Sequence, residues 1–178
     1  MKKTILLCLL LLASISACNL EDTAEETAPT PTTSTNNGGS TINGQAARVT
    51  NVIDGDTIDV QINGETFRVR YVGVNTPERD EPCYTEAGAA NRALVGGQNV
   101  ILVRDVSETD RFDRLLRYVY VGDIFVNELL VAQGFAEAVL YNPDNREHDN
   151  FVQLEQQATQ QNLGCHPSGI FNDDSTTR

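Results

Sequence analysis

Apolar and polar positions divide the chain into unlike stretches. Ile5 to Leu12 is apolar except at Cys8, and Asn19 to about Gln45 holds almost no large apolar side chain. From Ala46 the spacing becomes that of packed elements. "ARVTNVID" and "TIDVQIN" are rich in β-branched residues and predict two strands. Asn63-Gly64 marks a tight hairpin turn into "ETFRVRYVGV". There Phe67, Val69 and Tyr71 alternate with Arg68, Arg70 and Val72, so one face is apolar and the other carries arginines. Pro77, in "TPE", stops the strand.

Helical spacing enters in the second half. "CYTEAGAANRALVGG" predicts a helix with Tyr84, Ala87, Ala90 and Leu94 near one stripe, ended by Gly96-Gly97. "NVILVRDV" predicts a strand, and "RLLRYVYVGDIFV" a hairpin turning at Gly122-Asp123. "NELLVAQGFAEAV" predicts a short helix capped by Asn127 and stopping near Gly134. In "NREHDNFVQLEQQATQQNLG", Phe151, Leu154 and Ala158 recur at helical spacing. About five or six strands, mostly hairpin-linked, and about three helices suit a small closed sheet with helices against it, an α+β domain. We place that domain at residues 46–170, with a polar tail at 171–178.

The first residues read as an address. Lys2 and Lys3, the short apolar run and the small residues after it describe an export signal, too short to span a bilayer as a helix. "ISAC" is similar to the lipobox of bacterial lipoproteins, which places the signal at 1–17 and a lipid on Cys18; the other reading is a plain secretory signal with a chance cysteine. Several acyl chains would hold the protein on the outer side of a bacterial membrane, at the cell surface or in the periplasm. Residues 18–45, rich in Thr, Ser, Pro, Gly and acids, then form a disordered tether, because they cannot bury enough surface to offset their ordering entropy.

With Cys8 in the signal and Cys18 lipidated, Cys83 and Cys165 remain. Oxidising surroundings favour a disulfide between them over two buried thiols. His148 and His166 are too isolated to suggest zinc. From Ala46 to Arg178 there are 11 arginines, no lysine and 21 acidic residues, a net charge of −10. Such a balance excludes a broad phosphate-binding surface but leaves room for a focused site with a metal and a few arginines.

Candidate chemistry lies at the ends of the predicted strands. Asp54 and Asp56 flank Gly55 between the first two; Arg70 lies on the third; Asn75, Thr76 and Glu78 follow it; Arg114 comes after "SETDRFD". Hard oxygen ligands suit calcium or magnesium. One further carboxylate and two guanidinium forks suit attack of water on a phosphate. Each residue also has a structural reading: Asp-Gly-Asp as a turn, Arg70 as an exposed strand residue, Glu78 as a helix-start carboxylate, and Arg111 or Arg117 in place of Arg114.

In order, "VIDGDTIDV", "FRVRYVGVNTPE", "TDRFDRLLRYVYV" and "VNELLVAQGFAEA" resemble the thermonuclease family of micrococcal (staphylococcal) nuclease, over about Arg48 to Leu163. The resemblance implies an OB-fold five-stranded β-barrel with three α-helices, a fold that commonly binds oligonucleotides. It implies calcium-dependent hydrolysis of DNA and RNA, single-stranded or denatured, at the 5′ P–O bond to leave 3′-phosphates. Residue by residue, Asp56 matches a direct calcium ligand and Asp54 an acid acting through calcium-bound water. Thr76 matches a residue that gives calcium its main-chain carbonyl. Glu78 matches the carboxylate that positions or deprotonates water, and Arg70 and Arg114 match the arginines that hold the phosphate. No protein partner is implied, and we expect a monomer.

This chain departs from the family pattern at four places. Asn75 stands where the family has Asp; it offers calcium an oxygen without charge, so we expect weaker binding, suited to extracellular calcium levels. Asp113 stands where Gly is common. "ERDEPCYTEA" is short and acidic where the micrococcal enzyme has a basic segment, and "LGCHPSGIF" replaces a frequent "GLW" ending. The alternative to an active nuclease is a barrel that binds nucleic acid or another ligand without cutting; a third reading is a surface adhesion lipoprotein.

Overall fold

Three antiparallel strands linked in sequence begin the described chain: β1 (Gln45–Val52), β2 (Thr57–Ile62) and β3 (Glu65–Tyr71). The structure, a computed structural model, describes residues 42–172, all within the unit Gly38–Arg178. The expected signal, Cys18, the tether up to residue 41 and tail residues 173–178 lie outside the described residues. Asn63 and Gly64 both take positive φ, 52° and 91°, as the two-residue turn predicted from them requires.

A two-residue strand β4 (Val74–Asn75) precedes helix α1 (Tyr84–Val95). Then come β5 (Asn99–Val103), β6 (Leu115–Val121) and β7 (Ile124–Phe125), helix α2 (Val126–Ala132), β8 (Glu137–Ala138) and helix α3 (His148–Gln160). The main sheet runs β3-β2-β1-β5-β6-β7, and a parallel pairing of β3 with β6 closes it on itself. Five strands thus form the barrel, an α+β OB-type fold with three helices. Closure removes the open sheet edges. Inside lie Ile58, Val60, Val69, Tyr71, Leu102 and Val119, each at most 2% exposed. Outside the barrel, Phe151 of α3 packs against Tyr118 and Phe125.

Two local expectations need correction. The buried face of α1 is Ala87, Asn91 and Val95, with Ala90 and Leu94 only half-buried beside it. Asn91 is buried because it has partners: Tyr71 Oη donates to its Oδ1 at 2.9 Å, and its Nδ2 donates to the Asp54 carbonyl at 2.9 Å. Asn127 is no cap. It lies inside α2, fully buried, and donates to the Val72 carbonyl while accepting from the Val119 N–H. It joins α2 to β6 and to the residue that follows β3, and its amide satisfies one backbone group of each.

Cys83 and Cys165 form a disulfide with Cα atoms 5.6 Å apart. It ties the residue before α1 to the turn after α3, two places 82 residues apart in sequence.

Candidate functional site

Asp54 and Asp56 occupy the loop between β1 and β2. The Asp-Gly-Asp turn and the cluster of acids are the same structure: the Asp54 carboxylate accepts the Asp56 N–H at 3.1 Å, closing the turn. Helix α1 holds this loop from behind, through Asn91 on the Asp54 carbonyl and Arg92 on the Val52 carbonyl. Gly55 has a steric reason. A Cβ there would sit 2.7 Å from the Thr76 side chain, so only glycine lets the two strand ends approach this closely.

Asp56 is buried, and protein donors surround its carboxylate. Thr57 Oγ1 donates to Oδ1 at 3.0 Å, and Arg70 Nε lies 3.1 Å from the same oxygen. The Thr76 N–H and Oγ1 both donate to Oδ2 at 2.9 Å. A cation held directly by Asp56 therefore replaces one of these donors. Asp54 has less support. Burial first, and then the Asp56 charge, push its carboxyl up to about 6, against the Asp56 N–H and the Arg70 charge.

Arg70 reaches back across the end of the barrel. Its guanidinium donates to the Tyr71 and Val74 carbonyls at 2.6 and 2.8 Å, and to Asn75 Oδ1 at 3.1 Å, besides its contact with Asp56. It is therefore not the exposed strand residue that Arg68 is; Arg68 pairs outward with Asp59. Asn75 in turn donates through Nδ2 to Glu137 Oε1 at 2.9 Å. Its side-chain oxygen thus faces Arg70 and its nitrogen faces β8.

Glu78 is exposed at the rim, six residues before α1 begins, which removes its reading as a helix-start carboxylate. Its proton affinity is raised, first by partial burial and next by the Asp56 charge, and lowered in turn by Arg70 and Arg114. Arg114 ends the loop between β5 and β6. Asp110 fixes it: Arg114 Nε donates to Asp110 Oδ2 at 2.6 Å, and its backbone N–H to Oδ1 at 3.0 Å. Burial alone would raise the Asp110 carboxyl, but the hydrogen bonds from Arg114 and Phe112 hold it below the usual range. Asp113 takes φ 61°, a left-handed conformation that glycine reaches without strain.

The two arginines that compete with Arg114 have different surroundings. Arg117 is 4% exposed and donates to the Glu108 and Leu116 carbonyls and to the Glu108 carboxylate, so it anchors the loop. Arg111 lies over the exposed Phe112 ring, 4.7 Å from its centre, a ring it shares with Arg114 at 5.5 Å. All seven residues picked from sequence thus meet at one end of the barrel. Asp110, Asn91 and Glu137 were missed. Asp110 and Arg114 stand four apart, a spacing that could have revealed the pair; nothing local links Asn75 to Glu137.

The donor set suits a hard cation. It offers carboxylate, amide and carbonyl oxygens, and Asp54 and Asp56 crowd negative charge that a cation would neutralise. Among the described residues, no three His, Cys, Asp or Glu group closely enough to hold a metal by themselves. A cation here would draw on Asn75 or the Thr76 carbonyl as well.

Comparison with known proteins points to nucleases. A family model described as "Staphylococcal nuclease homologue" matches residues 68–166, which includes Arg70, Asn75, Thr76, Glu78 and Arg114 but not Asp54 or Asp56. The thermonuclease of Staphylococcus hyicus is 36% identical over 127 residues, covering 68% of this chain and 75% of that protein. The thermonuclease of Staphylococcus intermedius is 33% identical over 128 residues, covering 68% and 76%. The SPbeta prophage-derived endonuclease YokF of Bacillus subtilis is 37% identical over 119 residues, and this chain spans only 40% of its length.

Proposed function

This chain belongs to the staphylococcal nuclease family and is a nuclease, and from that premise we propose that it hydrolyses phosphodiesters of single-stranded or denatured DNA and RNA with calcium. The observation that carries the reading is Glu78, an exposed carboxylate under the joint influence of Asp56, Arg70 and Arg114. Water attack on phosphate needs a base, a cation and guanidinium donors around one point.

In this reading Asp56, Asn75 and the Thr76 carbonyl would hold the calcium, with the Asp54 charge beside them. When bound, calcium would supply charge neutralisation to the phosphate. Glu78 accepts the proton of the attacking water; its raised proton affinity makes it a better base than an ordinary glutamate. Arg114 presents its remaining N–H groups to the phosphate while Asp110 holds Nε. Arg70, released from Asp56, offers Nε to the same phosphate, and the charge that builds on the equatorial oxygens is met by both forks. Cleavage at the 5′ P–O bond leaves a 3′-phosphate. The Cys83–Cys165 disulfide supports an oxidising location, and with it the reading of Cys18 as a lipid anchor outside the cytoplasm.

The test is cleavage of denatured DNA by the full chain across micromolar to tens-of-millimolar calcium. Calcium-dependent cutting that Glu78→Gln lowers by about 100-fold or more is the expected result. Nucleic-acid binding without cutting at every calcium level would favour a barrel that has lost catalysis.

A further inference from the structure

We propose that Glu137 is a positioning residue of the cation site: it turns the Asn75 oxygen inward and supplies the negative charge that Asn75 lacks. The inference rests on the calcium reading above. Its basis is the small ribbon of β4 and β8, which pairs Asn75 directly with Glu137. Residues opposite each other in an antiparallel pair project to the same side. Both are buried, Asn75 at 2% and Glu137 at 6% exposure.

An asparagine amide fills almost the same space with its oxygen and nitrogen exchanged. As a cation ligand, only one of the two orientations serves. Here the neighbours decide. The Glu137 carboxylate can only accept, and takes Asn75 Nδ2 at 2.9 Å; the Arg70 guanidinium can only donate, and gives to Asn75 Oδ1 at 3.1 Å. Reversing the amide would set its NH₂ against a guanidinium and its oxygen against a carboxylate. Glu137 therefore locks the oxygen toward the cluster of Asp56 and Arg70.

The second contribution is electrostatic. A hydrogen bond from an amide to a carboxylate draws negative charge onto the amide oxygen. A buried charge also acts across a short distance with little screening. The neutral Asn75 and the anionic Glu137 thus work as one ligand unit, oxygen in front and charge behind. Residues that orient a metal ligand in this way typically matter about 10–100-fold for affinity.

A charge-swap cycle tests the inference on the full chain: wild type, Asn75→Asp, Glu137→Gln and the double variant. Calcium binding is followed by calorimetry without nucleic acid, and melting temperature is read without calcium. Glu137→Gln should weaken calcium binding by about 10–100-fold. Asn75→Asp alone should lower the melting temperature, because two carboxylates then face each other across the ribbon. The double variant moves the charge to the front of the same contact; it should melt above Asn75→Asp and recover calcium affinity relative to Glu137→Gln. Wild-type calcium affinity in Glu137→Gln would overturn the inference. So would a double variant that melts below Asn75→Asp or merely adds the two single effects. A wild type that binds no calcium would instead remove the calcium reading itself, and this inference with it.

Discussion

Asp54 and Asp56 sit two residues apart, yet their surroundings treat them differently. Asp56 is met by two hydroxyls, an N–H and a guanidinium; Asp54 has one backbone N–H, a weaker Thr57 hydrogen bond, a more distant Arg70 charge and a carboxylate for a neighbour. The folded chain thus holds Asp54 protonated up to about pH 6, above the ordinary 3.8. A carboxyl raised in the folded state costs stability as pH climbs from its unfolded to its folded value, and the cost is complete above the latter. Asp54→Asn removes that cost. In the absence of metal, the variant should gain melting temperature over wild type at pH 7.5 and gain little at pH 4.5; equal gains at both pH values would place the Asp54 charge outside the stability balance. At this scale the sequence was legible: the Asp-Gly-Asp string is both turn and acid pair. It did not show that Asp56 would be so fully bonded, because Thr76 reaches it from 20 residues away.

Among the elements, the loop from Arg104 to Arg114 shows how a site arginine is held. Arg117 anchors one side of it to the barrel wall, and Asp110 closes the other onto Arg114. Asp110 bonds no substrate in the proposed reaction, so its loss should act through geometry. Asp110→Ala should reduce kcat for cleavage by about 10–100-fold, on the scale expected when a reacting group is misplaced. Calcium affinity should stay within about threefold of wild type; parallel losses in both would mean that the loop also shapes the cation site. The strands and helices themselves followed from spacing, since alternation and helical stripes are local signals. Asn127 and Asn91 misled that reading for one reason: a polar residue was expected at a cap or outside. Each is buried with a partner that spacing does not reveal, the Asp54 carbonyl 37 residues from Asn91 and the Val72 carbonyl 55 residues from Asn127.

For the whole molecule, the disulfide and the charge balance make separate predictions. The disulfide closes a span of 82 residues, and the chain-entropy model assigns about 4–5 kcal/mol to a loop of that size. Paired Cys83→Ser and Cys165→Ser substitution should lower unfolding free energy in urea by roughly that much; a loss under about 1 kcal/mol would mean that the reduced chain is already held together elsewhere. The net charge of −10 between Ala46 and Arg178 leaves only a focused site for phosphate. With two arginines engaged, the log–log dependence of single-strand binding on salt should have a slope no steeper than about −1.5 at fixed calcium. A slope of about −4 or steeper would require a basic surface that this composition does not supply. By itself the sequence determined the strand and helix periods, the hairpin turns, the acid–arginine motifs and the cysteine pair, because each is written in residues close together or few in kind. Only the tertiary structure decided that β3 and β6 meet in parallel, that Arg70 is bound inward, and that Glu137 stands behind Asn75. Those contacts join segments up to 62 residues apart, and they exist only once the barrel has closed.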